Sequence, residues 1–564
     1  MNRNLVIGKI ARCIKFGQLL EDFFMAWYDE AVFYHIYPLG LTGAPKQNDY
    51  SEPVHRLNTL LPWIDHLKKL GFTAIYIGPL FESCGHGYET TDYKKLDSRL
   101  GTNEDLTSFV KACHEAGMKV IFDGVFNHTG RDFFAFKDIQ QNRENSRYRD
   151  WYCNVNFWGN TEYNDGFSYD NWGGYNLLVK LNQRNPEVQD YIEEVIRFWV
   201  STFDVDGIRL DAADVLDFEF MKRLRQVADS VKPELWLMGE VIHGDYSRWA
   251  NSNTLHSVTN YALHKALYSG HNDHNYFEIA HTIRYTNNMI SNSIRLYNFV
   301  DNHDVERIYT KLSNKAHYLP VHILLYTLPG IPSVYYGSEF GIEGKKERWS
   351  DDSLRPAINL ADHVKDYKEN PCTILIGSLG KIRSDYVSDL AYGDYKELVL
   401  TNRQFAYSRG NLLVAVNNDE NPAELALPAV HNAYRGLLSG TLITAENGTL
   451  PVSLEACGGD IFAPADETPV KVSKQKKSPV KQQKPVEASL FVEKANKEES
   501  DKPVKEHTPV SIPDVPYEQM TVEQLQAVIL EKLAKNGPVT DQMKRDVEAN
   551  IWLDSLINWA KSFR

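Results

Sequence analysis

Three carboxylates stand where short apolar runs end. Asp211 closes GIRLD (207–211), Glu240 follows LWLMG (235–239), and Asp304 follows FVDNH (299–303). A single acid at such a place is most simply a helix N-cap. Three of them, each after a run that reads as buried, fit acid–base or nucleophilic chemistry better. Unequal burial splits carboxyl pKa values, so that one group can attack while another protonates. Arg209 lies two residues before Asp211; on a strand both point to one face, and the guanidinium is expected to keep Asp211 ionised. His128 and His303 each follow an asparagine (Asn127, Asn302). A lone histidine beside an apolar run is usually structural, but two such pairs near carboxylates are suited to hydrogen-bonding a polyol.

The elements that must position these residues are seven apolar runs: 31–37, 73–80, 119–126, 207–211, 235–241, 295–301 and 332–337. Between them lie stretches with helical spacing, such as the one starting at Asp105. Strand-then-helix repetition over 25–385 predicts a parallel α/β architecture, whose active site lies at the C-terminal strand ends. Residues 129–181 are polar and aromatic with little periodicity, the signature of a functional insertion. Over 386–463 the pattern changes to successive antiparallel strands, a small β domain. Residues 464–516 hold 8 of the 24 prolines and a single aromatic ring, Phe491, so they read as a disordered tether. From 517 to 564 two helical patterns return. Leu525, Val528, Ile529 and Leu533 share one face, and Val547, Ile551, Leu556, Ile557 and Trp559 mark a second helix. This C-terminal hairpin is either a packing module or a docking element for an unknown partner. Residues 1–24 read as an extension, either a short helix or sequence upstream of a start at Met25.

Composition narrows the classes further. With 61 basic and 75 acidic side chains the net charge is −14, which argues against a nucleic-acid binder. No run approaches the ~20 apolar residues of a membrane span, and the N-terminus lacks a secretory apolar stretch. Six scattered cysteines form no CxxC pair, so a reducing, cytoplasmic location is expected. The 12% aromatic share, including 31 Tyr and 11 Trp, is compatible with stacking on sugar faces.

Four segments resemble, in order, the signature regions of the α-amylase family of glycoside hydrolases: DGVFNH (123–128), GIRLDAAD (207–214), GEVIH (239–243) and FVDNHD (299–304). GPLFESCGHGYETTDY (78–93), DSRLGTNEDL (97–106), LVKLNQRNPEVQDY (178–191) and GIPSVYYGSEFG (330–341) support the likeness, which spans about 30–463. The resemblance implies a (β/α)8 TIM barrel, an insertion domain after strand 3 and a C-terminal β-sandwich. It implies retaining cleavage of α-1,4-glucosidic bonds in maltodextrins, with Asp211 as nucleophile, Glu240 as acid/base and Asp304 as the third carboxylate. His128 and His303 would grip the sugar, Tyr88 would stack beneath it, and Asp351 with Arg355 would contact the next glucose. A surface i,i+4 ion pair is the alternative for those last two.

The KLN segment (180–182) and His243 look like the neopullulanase and maltogenic amylase branch. That branch usually has Asn-Glu where this chain has Asp214-Val215, and calcium-dependent amylases often have Lys-His there. Asn127 matches one family calcium ligand, yet structural calcium is not expected, and no organic cofactor is implied. The alternatives are a 4-α-glucanotransferase on the same barrel, more remotely sucrose or trehalose chemistry, and a non-catalytic glucan-binding or scaffold protein. Such a scaffold would be expected to have lost one of the three carboxylates.

Overall fold

The structure, a computed structural model, describes residues 26–348, 350–465 and 520–536. The extension over 1–24, all but the first residues of the tether over 464–516, and the second C-terminal helix lie outside the described residues.

Eight parallel strands form the centre: β1 (Phe33–Ile36), β2 (Ala74–Ile77), β3 (Lys119–Gly124), β4 (Gly207–Leu210), β5 (Trp236–Gly239), β6 (Ser257–Val258), β7 (Tyr297–Phe299) and β8 (Ile331–Tyr335). They pair in the order β6-β5-β4-β3-β2-β1-β8-β7, and a parallel bridge from Thr259 to Tyr297 closes the ring into a barrel. Strands β1, β2, β4 and β5 are buried at every position, which is why their sequences read as unbroken apolar runs. β6 is buried as well but does not read as such a run. It is two residues long, too short to register as a run.

Helices alternate with the strands: α1 (Leu61–Lys69), α2 (Asn103–Glu115), α3 (Pro186–Phe203), α4 (Phe218–Val231), α5 (Tyr261–Asn272), α6 (Tyr276–Met289), α7 (Tyr318–Thr327) and α8 (Pro371–Asp385). Between β5 and β6 a 3-10 turn, Tyr246–Arg248, stands in place of a long helix. Local chemistry fixes the helix ends. Thr102 and Asp105 form a reciprocal capping box on α2, and Asn185 caps α3 just before Pro186. Helix α3 then buries Val188, Ile192, Val195, Ile196, Trp199 and Phe203, one stripe at helical spacing.

The chain from 129 to 181 carries the helix Phe134–Asn142 and the strand Tyr175–Lys180, which pairs with His128–Thr129 on one side and with the strand Asn171–Trp172 on the other. Beyond the barrel a six-stranded antiparallel sheet faces a two-stranded one, Ala423–Pro428 with Thr449–Leu454. Leu413, Ala415, Leu427, Leu450, Val452 and Phe462 fill the space between them, which makes a β-sandwich. Its first two strands, Tyr395–Leu400 and Gln404–Arg409, are antiparallel neighbours separated by a turn. Outside this unit lies the helix Val522–Asn536, whose first turn is braced by reciprocal contacts between Thr521 and Gln524. On it Leu525, Val528 and Ile529 are buried. Among the described residues no helix is long and apolar enough to cross a membrane.

Candidate active site

The C-terminal ends of β3, β4, β5 and β7 bring four carboxylates together, three of them around one guanidinium. Arg209, inside β4, is buried. Its Nη1 lies 2.8 Å from Asp123 Oδ1 and 2.8 Å from Asp211 Oδ1, and its Nη2 lies 2.8 Å from Glu240 Oε2. One cation is thus divided among three acids. Burial pushes the Asp211 carboxyl well above the usual carboxylate range, Glu240 and Asp123 add to that rise, and Arg209 opposes it. Arg209 favours the ionised Asp211, as its place on β4 led one to expect, but it shares its charge with two other carboxylates.

Asp304 sits in a different field. Burial raises its carboxyl, but His303 Nε2 at 3.0 Å and Arg355 Nη2 at 2.9 Å outweigh that and hold it well below its ordinary value. Arg355 also donates to Asp351 Oδ2 (3.1 Å) and to the His303 carbonyl (3.0 Å), and its guanidinium lies 4.7 Å over the Tyr37 ring. It is drawn inward onto Asp304 and is not confined to a surface pair with Asp351. Tyr88 stacks on His303 with ring centroids 5.6 Å apart, and its hydroxyl donates to Asp123 Oδ2 at 3.0 Å.

His128 is buried, and that burial lowers its pKa to about 3, so the ring is neutral. Its Nε2 faces the Tyr88 carbonyl at 3.1 Å and its Nδ1 faces the Asn127 amide at 3.2 Å. Both nitrogens are engaged by the protein. On Asn127 the side-chain oxygen accepts from Gln183 Nε2 (3.2 Å), and Gln183 Oε1 in turn accepts the Asp217 amide (2.6 Å). A calcium ion at Asn127 would have to displace that amide donor. No group of three His, Cys, Asp or Glu suited to a metal occurs among the described residues.

Four contributors carried no role in the sequence reading. Asp123 completes the set around Arg209, and an acid inside an apolar run was the signal for it. Ala212 adopts a left-handed backbone (φ 47°, ψ 43°) that aims its N–H at Glu240 Oε2, 3.1 Å away. Tyr261 places its hydroxyl 3.4 Å from Glu240 Oε1 and accepts from Asn302 Nδ2 at 3.1 Å. Asn302 is oriented because its oxygen takes the amides of Asp304 (2.8 Å) and Val305 (3.0 Å). Nothing in the sequence around β6 announced Tyr261. Behind them Asp214, exposed at its surface but near Glu240, is pushed up to about 6 by desolvation and by that neighbour.

A barrel with acid/base carboxylates gathered at its C-terminal mouth defines a TIM-barrel enzyme of the glycosidase type. The catalytic-domain model of the α-amylase family matches residues 56–372, and the chain belongs to that family. It is 32% identical to the cyclomaltodextrinase of Thermoanaerobacter pseudethanolicus over 434 residues, 72% of this chain and 73% of that protein. It is 31% identical to the intracellular maltogenic amylase of Bacillus subtilis over 299 residues, 52% of this chain and 50% of that one. Among solved structures it is similar to the Nostoc punctiforme debranching enzyme in its native form, with TM-score 0.67 and 27% identity. That likeness covers 78% of this chain and 98% of the other.

Proposed function

We propose that the chain is a retaining glycoside hydrolase that cleaves α-1,4-glucosidic bonds of maltodextrins. The observation that carries the reading is the Arg209 fork, which holds Asp211 and Glu240 on the two nitrogens of one guanidinium. Two carboxylates bridged by one guanidinium are neighbours, as the pair of a retaining enzyme must be to form a covalent intermediate. Glu240 Oε2 already accepts from Ala212 N and Arg209 Nη2, so a proton on this side chain belongs on Oε1, beside the Tyr261 hydroxyl. The first step needs Glu240 protonated on Oε1 and Asp211 anionic. Asp211 then attacks the anomeric carbon while Glu240 protonates the departing glycosidic oxygen. A β-glucosyl ester forms and the shortened chain leaves. Glu240, now a base, takes a proton from water, the hydroxide displaces Asp211, and the cluster returns to its starting charge. Asp304, held anionic by His303 and Arg355, accepts from sugar hydroxyls next to the cleaved bond. Tyr88 and the His303 imidazole line the same unit.

The cyclomaltodextrinase and maltogenic amylase relatives support an α-1,4-linked substrate. The engaged Asn127 amide supports activity without structural calcium. An intracellular relative and five free thiols among the described residues support a cytoplasmic location. The test is a time course on maltoheptaose in the presence of a chelator. Release of shorter maltosaccharides that is undiminished by chelation and absent from Asp211→Asn meets the expectation. Products longer than the substrate would assign glucanotransfer instead, and loss of activity on chelation would restore a metal.

A further inference from the structure

The insertion ends in an aromatic hairpin that the reaction above does not use. Asn171–Trp172 and Tyr175–Lys180 are joined by Gly173 and Gly174, both at positive φ (62° and 86°), a two-residue turn that only glycine-like residues adopt easily. Trp172 and Tyr175 are direct cross-strand partners, so their side chains share one face of the ribbon. They are 39% and 64% exposed. Large rings left in water at a hairpin tip contribute little to folding. Phe134, elsewhere in the insertion and exposed to a similar degree, packs against Phe133, Tyr148, Trp151 and Tyr191.

The tip is braced. Asn171 Oδ1 accepts from the Gly174 amide (2.9 Å), Asn171 Nδ2 donates to Asn176 Oδ1 (2.7 Å), and Asn176 Nδ2 donates to Glu162 Oε2 (2.6 Å). The Tyr169 hydroxyl donates to the Asn176 carbonyl (2.9 Å). The face is also continuous with the site. The Trp172 ring lies 6.1 Å from that of His128, whose Nε2 contacts the Tyr88 carbonyl, and Tyr88 reaches Asp123 and His303. An exposed, braced pair of rings leading away from the carboxylates is what a flat, neutral, repeating ligand needs.

We propose that Trp172 and Tyr175 form a platform for glucose units of an α-1,4-glucan beyond the unit at the carboxylates, so that they select for chain length. This rests on the glucan reading given above. Stacking on each ring adds affinity only for chains long enough to reach it.

The test is calorimetric titration of the full chain carrying Glu240→Gln, which prevents turnover, with maltoheptaose and with maltose. Adding Trp172→Ala is expected to weaken maltoheptaose about tenfold, and adding Tyr175→Ala about threefold. Maltose affinity should stay constant, and Trp172→Phe should recover most of the loss. Unchanged maltoheptaose affinity in Trp172→Ala overturns the platform alone. Equal losses on both ligands also overturn it, because they place the effect on His128. Failure of the parent Glu240→Gln protein to bind either sugar overturns the glucan reading and the platform together.

Discussion

Asp206 and Asp211 flank one strand, β4, and the barrel treats them in opposite ways. At the N-terminal end Asp206 is buried among donors: His114 Nε2 at 2.7 Å, the Val120 amide at 3.0 Å, and Lys119 and Lys232 Nζ at 3.0 Å each. Burial raises its carboxyl, but His114, Val120 and Lys232 together hold it far below the ordinary range. At the C-terminal end Asp211 shares one guanidinium with two other acids and is raised. Surplus cation at the bottom contributes stability, whereas surplus anion at the top serves chemistry at a cost in stability.

Removing the upper acid tests the sharpest half of this contrast. Asp211→Asn should lower kcat/KM on maltoheptaose about a thousandfold or more. It should also raise Tm at pH 7. The sign follows from linkage, because a carboxyl whose folded pKa is raised loses stability as pH rises from its unfolded value, about 3.9, through the folded one. The gain from Asn should therefore shrink as pH falls toward 4. A lower Tm at neutral pH would break the comparison.

The lower acid should behave in reverse. Asp206→Asn is expected to cost about 2–3 kcal/mol of stability at pH 7, read by urea unfolding, with kcat/KM within about twofold of the parent. A depressed carboxyl contributes fully above its unfolded pKa and loses that contribution as pH falls through its folded one. The difference between variant and parent should then narrow in acid.

Two smaller changes sharpen the upper end. Tyr261→Phe removes the hydroxyl facing Glu240 Oε1 and should lower kcat about fivefold to tenfold, with KM little changed. A change in KM alone would put Tyr261 in sugar binding. Ala212→Gly keeps the N–H on Glu240 and relieves a left-handed alanine. It should stabilise by about 1 kcal/mol at unaltered pH dependence, and a loss of stability would show that the alanine methyl outweighs the strain.

The same contrast explains what the sequence made legible. Strands buried on both faces announced themselves as apolar runs, and Asp211, Glu240 and Asp304 stood out because a charge ends each run. β6 did not, since two residues carry no period, and Tyr261 just beyond it went unseen. The division of Arg209 among three acids was also hidden. Spacing on β4 put Arg209 and Asp211 on one face, but only the fold brings Asp123 from β3 and Glu240 from β5 against the same guanidinium. The insertion read as functional from its rings, while its hairpin needed the pairing of Trp172 with Tyr175 to take shape.

The central claim is that Asp211 carries the sugar while Glu240 moves the proton. An activated maltosyl fluoride needs no acid to depart, so with Glu240→Gln the first step should proceed and the second should stall. Intact-mass and peptide mapping of that mixture should find one maltosyl unit esterified to the peptide bearing Asp211. An adduct on Asp304 or Asp123 would contradict the account, as would turnover of the fluoride with no adduct at all.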